Sequence, residues 1–189
     1  MNETYKIQVQ DLVDDLKAVF THAGLGGEAG EYKLLTQSFL YKFLNDKFLY
    51  QAQVLDAGNT YENLLTMSEE DYDWLLEDIG TSTAWLKPDQ LIETLHRQQN
   101  EATFYETFEN TLNQIAIDNN DIFSVHTDGN TAIRLFDERL ITDNISDSSK
   151  RNEVAKAIIN LLTRVKFDET IFSQGFDFFS TLFEYMIKD

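Results

Sequence analysis

The sequence contains no cysteine, which excludes a disulfide framework, a thiol nucleophile and a cysteine-ligated metal. Its single proline, Pro88, also excludes any motif that needs two adjacent prolines. No apolar run approaches the ~18 residues of a membrane-spanning helix. Segment 34–55 comes closest, but Lys42, Asp46 and Lys47 interrupt it. The first residues are polar and charged, unlike a signal peptide. We therefore expect a cytoplasmic protein that does not enter a membrane.

Lysine and arginine are scarce: the chain has 15 of them against 33 aspartates and glutamates, for a net charge of −18. A protein this acidic repels nucleic acid on average. The chain as a whole is therefore not a DNA-binding module of the usual basic kind. Its preferred partners are expected to be basic surfaces. The acids are most concentrated from Asp56 to Asp78, where eight of them occur without a lysine or arginine.

Apolar residues recur at helical spacing along most of the 189-residue chain, which is long enough for one domain with a substantial core. The pattern predicts an all-α, bundle-like single domain. Segment 31–55 is apolar nearly all round, so this helix is expected at the centre. Trp74, Trp85 and most phenylalanines are predicted to pack in the core rather than to stack on bases. The predicted helices span residues 5–21, 31–55, 69–79, 88–95, 104–115 and 150–166, and a further short helix holds Ile133, Leu135, Phe136 and Leu140.

Single residues mark several helix ends. Ser68 is expected to cap the helix that follows it, which has acids in its first turn, and Gly80 is expected to end that helix. Residues 81–87 are predicted to be irregular, because the residue before a proline avoids helical angles.

A polar loop is expected from Asp118 to Asn130, with a turn at Asp128-Gly129. The strand signal is poor elsewhere, but Ile122–Val125 could pair with Ala132–Leu135 around this turn. The sequence thus leaves one short hairpin open within an otherwise helical fold.

One segment reverses the general charge balance. Between Lys150 and Lys166, five basic residues occur with one acid, Glu153. Basic side chains bind DNA phosphates without sequence preference, so these residues are candidate DNA contacts. The alternative is an ordinary solvated helix face, which is favoured because the cations do not fall on one stripe at about 100° per residue. The five candidates are Lys150, Arg151, Lys156, Arg164 and Lys166.

No group of residues converges on a reaction. His22, His96 and His126 share no metal-ligand spacing, and no nucleophile is paired with a base. The segment Gly24-x-Gly26-x-x-Ala29 formally matches a dinucleotide-binding fingerprint, but that fingerprint requires a preceding strand and the preceding element here is helical. A turn between helices is the better interpretation. The sequence predicts no catalytic, cofactor-binding or metal-binding residue.

Three segments resemble the helical N-terminal domain of one protein family, in the order in which that family has them. Residues 31–48 are similar to its apolar second helix, of the form Leu-Phe-Leu-Lys-Tyr-Ile-Ser-Asp-x-Phe. Residues 108–120 are similar to its helix ending in Glu-x-x-Asn before an exposed loop. Residues 183–187, Phe-Glu-Tyr-Met-Ile, resemble a Tyr-Glu-Tyr-Leu-Leu stretch. The family is the modification (M) subunit, a DNA adenine methyltransferase, of type I restriction-modification systems.

The resemblance implies a role within a larger enzyme. The parent enzyme would transfer a methyl group from S-adenosylmethionine to adenine N6, in a catalytic methyltransferase domain that would follow Asp189. Residues 175–189 are predicted to form an amphipathic helix. It ends without Gly, Asn or Pro punctuation, which also predicts a domain of a longer protein. Such enzymes hold adenine with an Asn/Asp-Pro-Pro-aromatic motif, which a chain with one proline lacks, so no catalytic residue and no cofactor are expected here.

The resemblance also implies partners. The domain would contribute to subunit assembly and DNA clamping, beside the catalytic domain of the same subunit. Its other partners would be a specificity subunit, a second M subunit, the restriction subunit and DNA. The acidic stretch 60–80 fits the family pattern poorly, so subunit contacts are expected to matter more than DNA contacts.

Two other classes of function stay open. The acidity is also expected of a helical DNA mimic, or of an adaptor that binds a basic protein partner, although a mimic needs its acids spaced along one elongated face. The second class is a small helical enzyme that uses carboxylates, for which no motif converges.

Overall fold

A helix of 27 residues, α2 (Ala29–Leu55), runs through the centre of the domain. Every residue from Ser38 to Asp46 is buried, except the half-buried Leu40. A helix that is apolar nearly all round has no polar face to expose to solvent, so it lies inside the core. The computed structural model describes residues 3–123 and 135–174, and this part of the chain is all-α, without a strand. The predicted fold class and the central position of α2 are both confirmed.

The other helices of the described residues pack against α2 or against one another, and the longer ones follow the amphipathic stripes of the sequence. The described residues also contain short 3₁₀ turns at Pro88–Gln90 and Ser148–Lys150. The other α-helices are α1 (Glu3–His22), α3 (Tyr61–Thr66), α4 (Glu69–Ile79), α5 (Ile92–Gln98), α6 (Phe104–Asp118), α7 (Asn120–Phe123), α8 (Leu140–Asn144), α9 (Arg151–Leu162) and α10 (Glu169–Phe172).

Two helices organise the packing. The central α2 contacts α1, α4 and α8, and α9 packs against α1, α5 and α6. Aromatic side chains pack between the helices: the Tyr41 ring of α2 and the Phe108 ring of α6 meet edge to face with centroids 6.3 Å apart. Each such buried apolar side chain contributes roughly 1.5–3 kcal/mol. The fully buried phenylalanines include Phe20, Phe39, Phe48, Phe104 and Phe108.

The predicted ends of α4 are confirmed. The Ser68 hydroxyl accepts a hydrogen bond from the Asp71 backbone N–H at 3.1 Å, which satisfies one free amide of the first turn. Gly80 ends the helix with φ of 67°, an angle that favours glycine.

Residues 81–87 are irregular, as predicted, and a buried amide fixes their path. The Asn119 side chain accepts a hydrogen bond from the Trp85 N–H at 2.7 Å and donates to the Trp85 carbonyl at 2.8 Å. It also donates to the Ile115 carbonyl at 2.9 Å, so one side chain ties this segment to the end of α6.

Several local predictions are wrong. Pro88 opens a 3₁₀ turn rather than the helix, because Leu91 is extended (φ −72°, ψ 145°) and α5 begins only at Ile92. Leu135 and Phe136 lie before α8 instead of inside a helix. Helix α9 ends at Leu162, before the predicted end at residue 166.

The structure corrects the predicted loop and hairpin only at the residues that it describes. Residues 120–123 form α7, so the loop begins later than predicted and Ile122 does not start a strand. The other residues of the hairpin, up to 134, lie outside the described residues, as does Ile133 of the predicted short helix. Residues 175–189, which carry the predicted C-terminal helix, also lie outside them.

Candidate functional site

The five candidate DNA contacts do not form one surface. Lys150 and Arg151 lie at the start of α9, whereas Arg164 and Lys166 follow its last residue. The 12-residue helix separates the two groups by ~18 Å along its axis. Lys156, between them, is half-buried.

Arg151 has a structural role. Its Nε donates a hydrogen bond to the Ile145 carbonyl at 2.9 Å, and its Nη2 donates to the Thr142 carbonyl at 3.4 Å. The guanidinium carbon also lies 5.7 Å from the centroid of the Tyr105 ring. Because the free carbonyls at the end of a helix attract cations, Arg151 caps α8, and this contact occupies two of its nitrogens.

Three of the other four cations, Arg164, Lys150 and Lys166, lie in different environments. Arg164 lies 3.8 Å from the Asp15 carboxylate, in an exposed ion pair. Lys150 borders a groove of about 310 Å³ between α1 and α9, beside His22 and Glu153. Lys166 is exposed and borders a different groove. The candidates at the start of α9 therefore do not lie beside the candidates that follow its end.

The groove beside Lys166 has a volume of about 710 Å³ and lies between α2, α5 and the segment after α9. A buried ion pair borders it: the Lys42 Nζ is 2.9 Å from the Asp46 Oδ2, and both side chains are less than one-tenth exposed. The sequence signal for this pair was a lysine and an aspartate four residues apart, a spacing that brings two side chains together on a helix. Sequence reasoning missed the pair, because the two charges stood out only as interruptions of an apolar run.

Asp46 connects three parts of the chain. Its Oδ2 accepts a hydrogen bond from the Phe167 N–H at 2.8 Å, and its Oδ1 accepts one from the Asn45 side chain at 2.9 Å. Asn45 in turn accepts a bond from the Ile92 N–H at 2.9 Å. This buried network fastens the start of α5 and the segment after α9 to the central helix.

A stacked guanidinium forms part of the rim of this groove. The Arg97 guanidinium carbon lies 4.9 Å from the centroid of the Tyr61 ring. Arg97 also pairs with Glu62 and, at 3.3 Å, with Glu93. The groove thus holds charges of both signs, most of them already paired, and nothing in this arrangement identifies a ligand.

Asp168 is the last residue of the segment between α9 and α10. It accepts hydrogen bonds from the Tyr5 hydroxyl and, at 2.9 Å, from the Thr170 N–H at the start of α10. The Tyr5 hydrogen bond lowers the pKa of Asp168, and burial opposes the shift. The same contact raises the pKa of Tyr5.

We expect Asp168→Asn to destabilise the domain by about 1 kcal/mol at neutral pH, because it removes a partly exposed charge-assisted hydrogen bond. A lowered carboxyl pKa contributes stability above the ordinary aspartate pKa of ~3.9, and this contribution disappears as the pH falls through the folded-state value. Urea unfolding of both proteins from neutral pH down to about pH 2 should therefore converge at the acidic end. The exposed Asp11→Asn serves as control; an equal difference at every pH would contradict the assignment.

The most acidic surface belongs to α4. Six of its residues are acids, all exposed, and none forms an ion pair with a cation of the described residues. Trp74 on the same helix is 61% exposed, so its predicted core position is wrong. The core positions of α4 are taken by Tyr72, Leu75, Leu76 and Ile79.

The described part of the chain offers neither a membrane span nor a metal site. None of its helices combines the length and apolar character that crossing a membrane requires. Its His, Asp and Glu side chains form no group of three that could hold a metal ion.

Comparison with protein-family models, curated proteins and solved structures found no match to this chain.

Proposed function

We propose that the chain is the non-catalytic helical N-terminal domain of a type I restriction-modification M subunit, a DNA adenine-N6 methyltransferase. The observation that carries the proposal is the ordered resemblance of residues 31–48 and 108–120 to that family. In the structure these segments fall on α2 and α6, two long helices of one all-α unit. The resemblance of residues 183–187 adds to it from the sequence alone.

The domain would act mainly through protein contacts. Its net charge is −18, and the cations from Lys150 to Lys166 are spread from the start of α9 to beyond its end, with Arg151 engaged inside the protein. Such a surface supports assembly with the catalytic domain, the specificity subunit, a second M subunit and the restriction subunit better than broad contact with DNA.

S-adenosylmethionine would belong to the parent enzyme. The one glycine segment with a formal nucleotide fingerprint, residues 24–29, follows helix α1 instead of a strand. Residues 24–29 therefore lack the preceding strand that the nucleotide fingerprint requires.

The gene sequence beyond the codon for Asp189 tests the proposal directly. We expect the frame to continue into a glycine-rich strand-to-helix turn and an Asn/Asp-Pro-Pro-aromatic motif. Co-purification from the source cells should also recover a specificity subunit in fixed stoichiometry. A stop codon together with a monomeric chain free of that subunit would overturn it.

DNA clamping predicts a second, smaller effect. In the assembled complex, reversing Lys150, Lys156 and Lys166 to Glu should weaken binding about equally for all DNA sequences. The salt-dependence slope should fall by ~1 for each of these lysines that binds a phosphate. Lys33→Glu, at an exposed pair with Asp137, is the control. Unchanged affinity and slope in the triple variant would remove the DNA-binding part of the proposal and leave the assembly part.

The unpaired acids of α4 favour a second candidate function, an acidic adaptor or DNA mimic that binds a basic protein partner. Both candidates need a protein-binding surface. They differ in whether the chain has a catalytic domain attached, which the gene sequence decides.

A further inference from the structure

Trp74 is unusually exposed for a tryptophan in a well-packed helical domain. It lies on α4 with 61% of its surface exposed, while the opposite face of the same helix is buried. Tryptophan is enriched among the residues that dominate protein–protein binding, because it buries a large area at small conformational cost. An exposed tryptophan on a rigid helix is therefore a preformed anchor.

Two adjoining grooves border this face of α4. The first, about 580 Å³ in volume, has Trp74 and Glu77 in its lining. The second, about 390 Å³, has an apolar lining of Met67, Tyr72, Leu76 and Pro88. Glu69 and Asp73 border both, so they form a negatively charged ridge between the exposed Trp74 ring and the apolar groove.

Local helix stability explains only the acids of the first turn, where they favour the positive end of the helix dipole. Glu77 and Asp78 lie in the last turn, where negative charge is unfavourable, and that turn has no basic residue. Asp73 and Glu77 are four residues apart, so they also repel each other. These charges oppose the stability of the helix that carries them.

No cation of the described residues forms an ion pair with the acids of this surface. Lys87 borders the apolar groove, but its Nζ lies 3.8 Å from the Asp118 carboxylate, which belongs to α6. The surface therefore presents an aromatic anchor, an apolar groove and uncompensated negative charge together. A basic, amphipathic protein segment is complementary to all three.

We propose that the exposed face of α4 is a docking surface for a Lys- or Arg-rich amphipathic segment of a protein partner. An apolar side chain of that segment would pack on Trp74, a second would enter the groove at Met67 and Leu76, and its cations would meet Glu69, Asp73 and Glu77. The inference does not rest on the family assignment, since it uses only α4 and its neighbours.

Trp74 reports its own burial, which makes the test direct. The full chain is titrated with a synthetic amphipathic helical peptide of Lys and Leu, and with a peptide in which Glu replaces Lys. The Lys peptide should shift the tryptophan emission to shorter wavelength, with an affinity that falls as salt rises. Trp74→Phe should abolish the shift, because the remaining Trp85 is half-buried and bonded to the Gly80 carbonyl.

Charge reversal separates this surface from the general acidity of the chain. Asp73→Lys with Glu77→Lys should weaken peptide binding about tenfold or more while the melting temperature stays level or rises. The matched control reverses two exposed acids of α1, Asp11→Lys and Asp14→Lys, and should change binding less than about twofold. Equal weakening by the two pairs, or a shift that survives in Trp74→Phe, would overturn the proposal. Either result would leave the gene-sequence test of the family assignment untouched.

Discussion

Replacing Asp46 by alanine is expected to destabilise the domain by about 3–5 kcal/mol, because it leaves the buried Lys42 ammonium without its counterion. The Lys42 and Asp46 side chains are 6% and 7% exposed and lie 2.9 Å apart. The substitution also removes the acceptor of the Phe167 N–H, a second buried polar group. An orphaned buried charge costs far more than the intact pair contributes.

Urea unfolding followed by circular dichroism measures this destabilisation. Lys33→Ala is the matched control, because its pair with Asp137 is 3.8 Å long and both side chains are about half exposed. We expect that control to cost less than ~1 kcal/mol. The double replacement Lys42→Met with Asp46→Leu should recover a large part of the stability that the single variant lacks, since it removes both charges at similar volume. A single variant as mild as the control would show that the pair is not buried in solution.

The long helices could be predicted because their apolar spacing is also their packing. In α6, Phe104, Phe108, Leu112 and Ile115 are all fully buried, so one stripe specified both the helix and its core face. The all-round apolar pattern of α2 likewise placed it at the centre. In each case local propensity and burial agree, which is the condition under which sequence patterns are reliable.

The short elements could not be predicted in the same way. Helix α3 has six residues and one buried side chain, Leu64, so it carries no repeating stripe. The position of α5 depends on a bond from the Ile92 N–H to Asn45, which lies 47 residues away in sequence. Contacts of this range are set by the tertiary structure and leave no local pattern.

The candidate surfaces were only partly predictable. The charge of segment 56–78 was visible in the sequence, but the exposure of Trp74 was not, because helical spacing alone is equally typical of a core residue. The basic segment near α9 was also visible, yet the engagement of Arg151 with α8 carbonyls requires a fold that brings the two helices together. Composition identifies charge, and only packing shows which charges remain free.

A second large effect is expected from Glu109, a buried carboxylate on α6. It accepts hydrogen bonds from the Ile141 N–H at 3.0 Å, the Thr142 N–H at 2.9 Å and the Thr142 hydroxyl at 2.7 Å. These two amides belong to the first turn of α8, where backbone donors have no partner within the helix. Glu109 therefore caps α8 from a neighbouring helix and holds it in place.

Glu109→Ala should cost about 3 kcal/mol, because buried donors to a charged acceptor are left without a partner. The control is Glu106→Ala on the exposed face of the same helix, with an expected change within about 0.5 kcal/mol. Hydrogen exchange gives the decisive measurement: the amides of Ile141 and Thr142 should become selectively less protected, while those of α1 keep their protection. A uniform decrease in protection across both helices would mean that Glu109 supports the whole core rather than α8. A selective decrease would show that one carboxylate fastens α8 at its first turn, while Arg151 binds the carbonyls at the other end of the same helix.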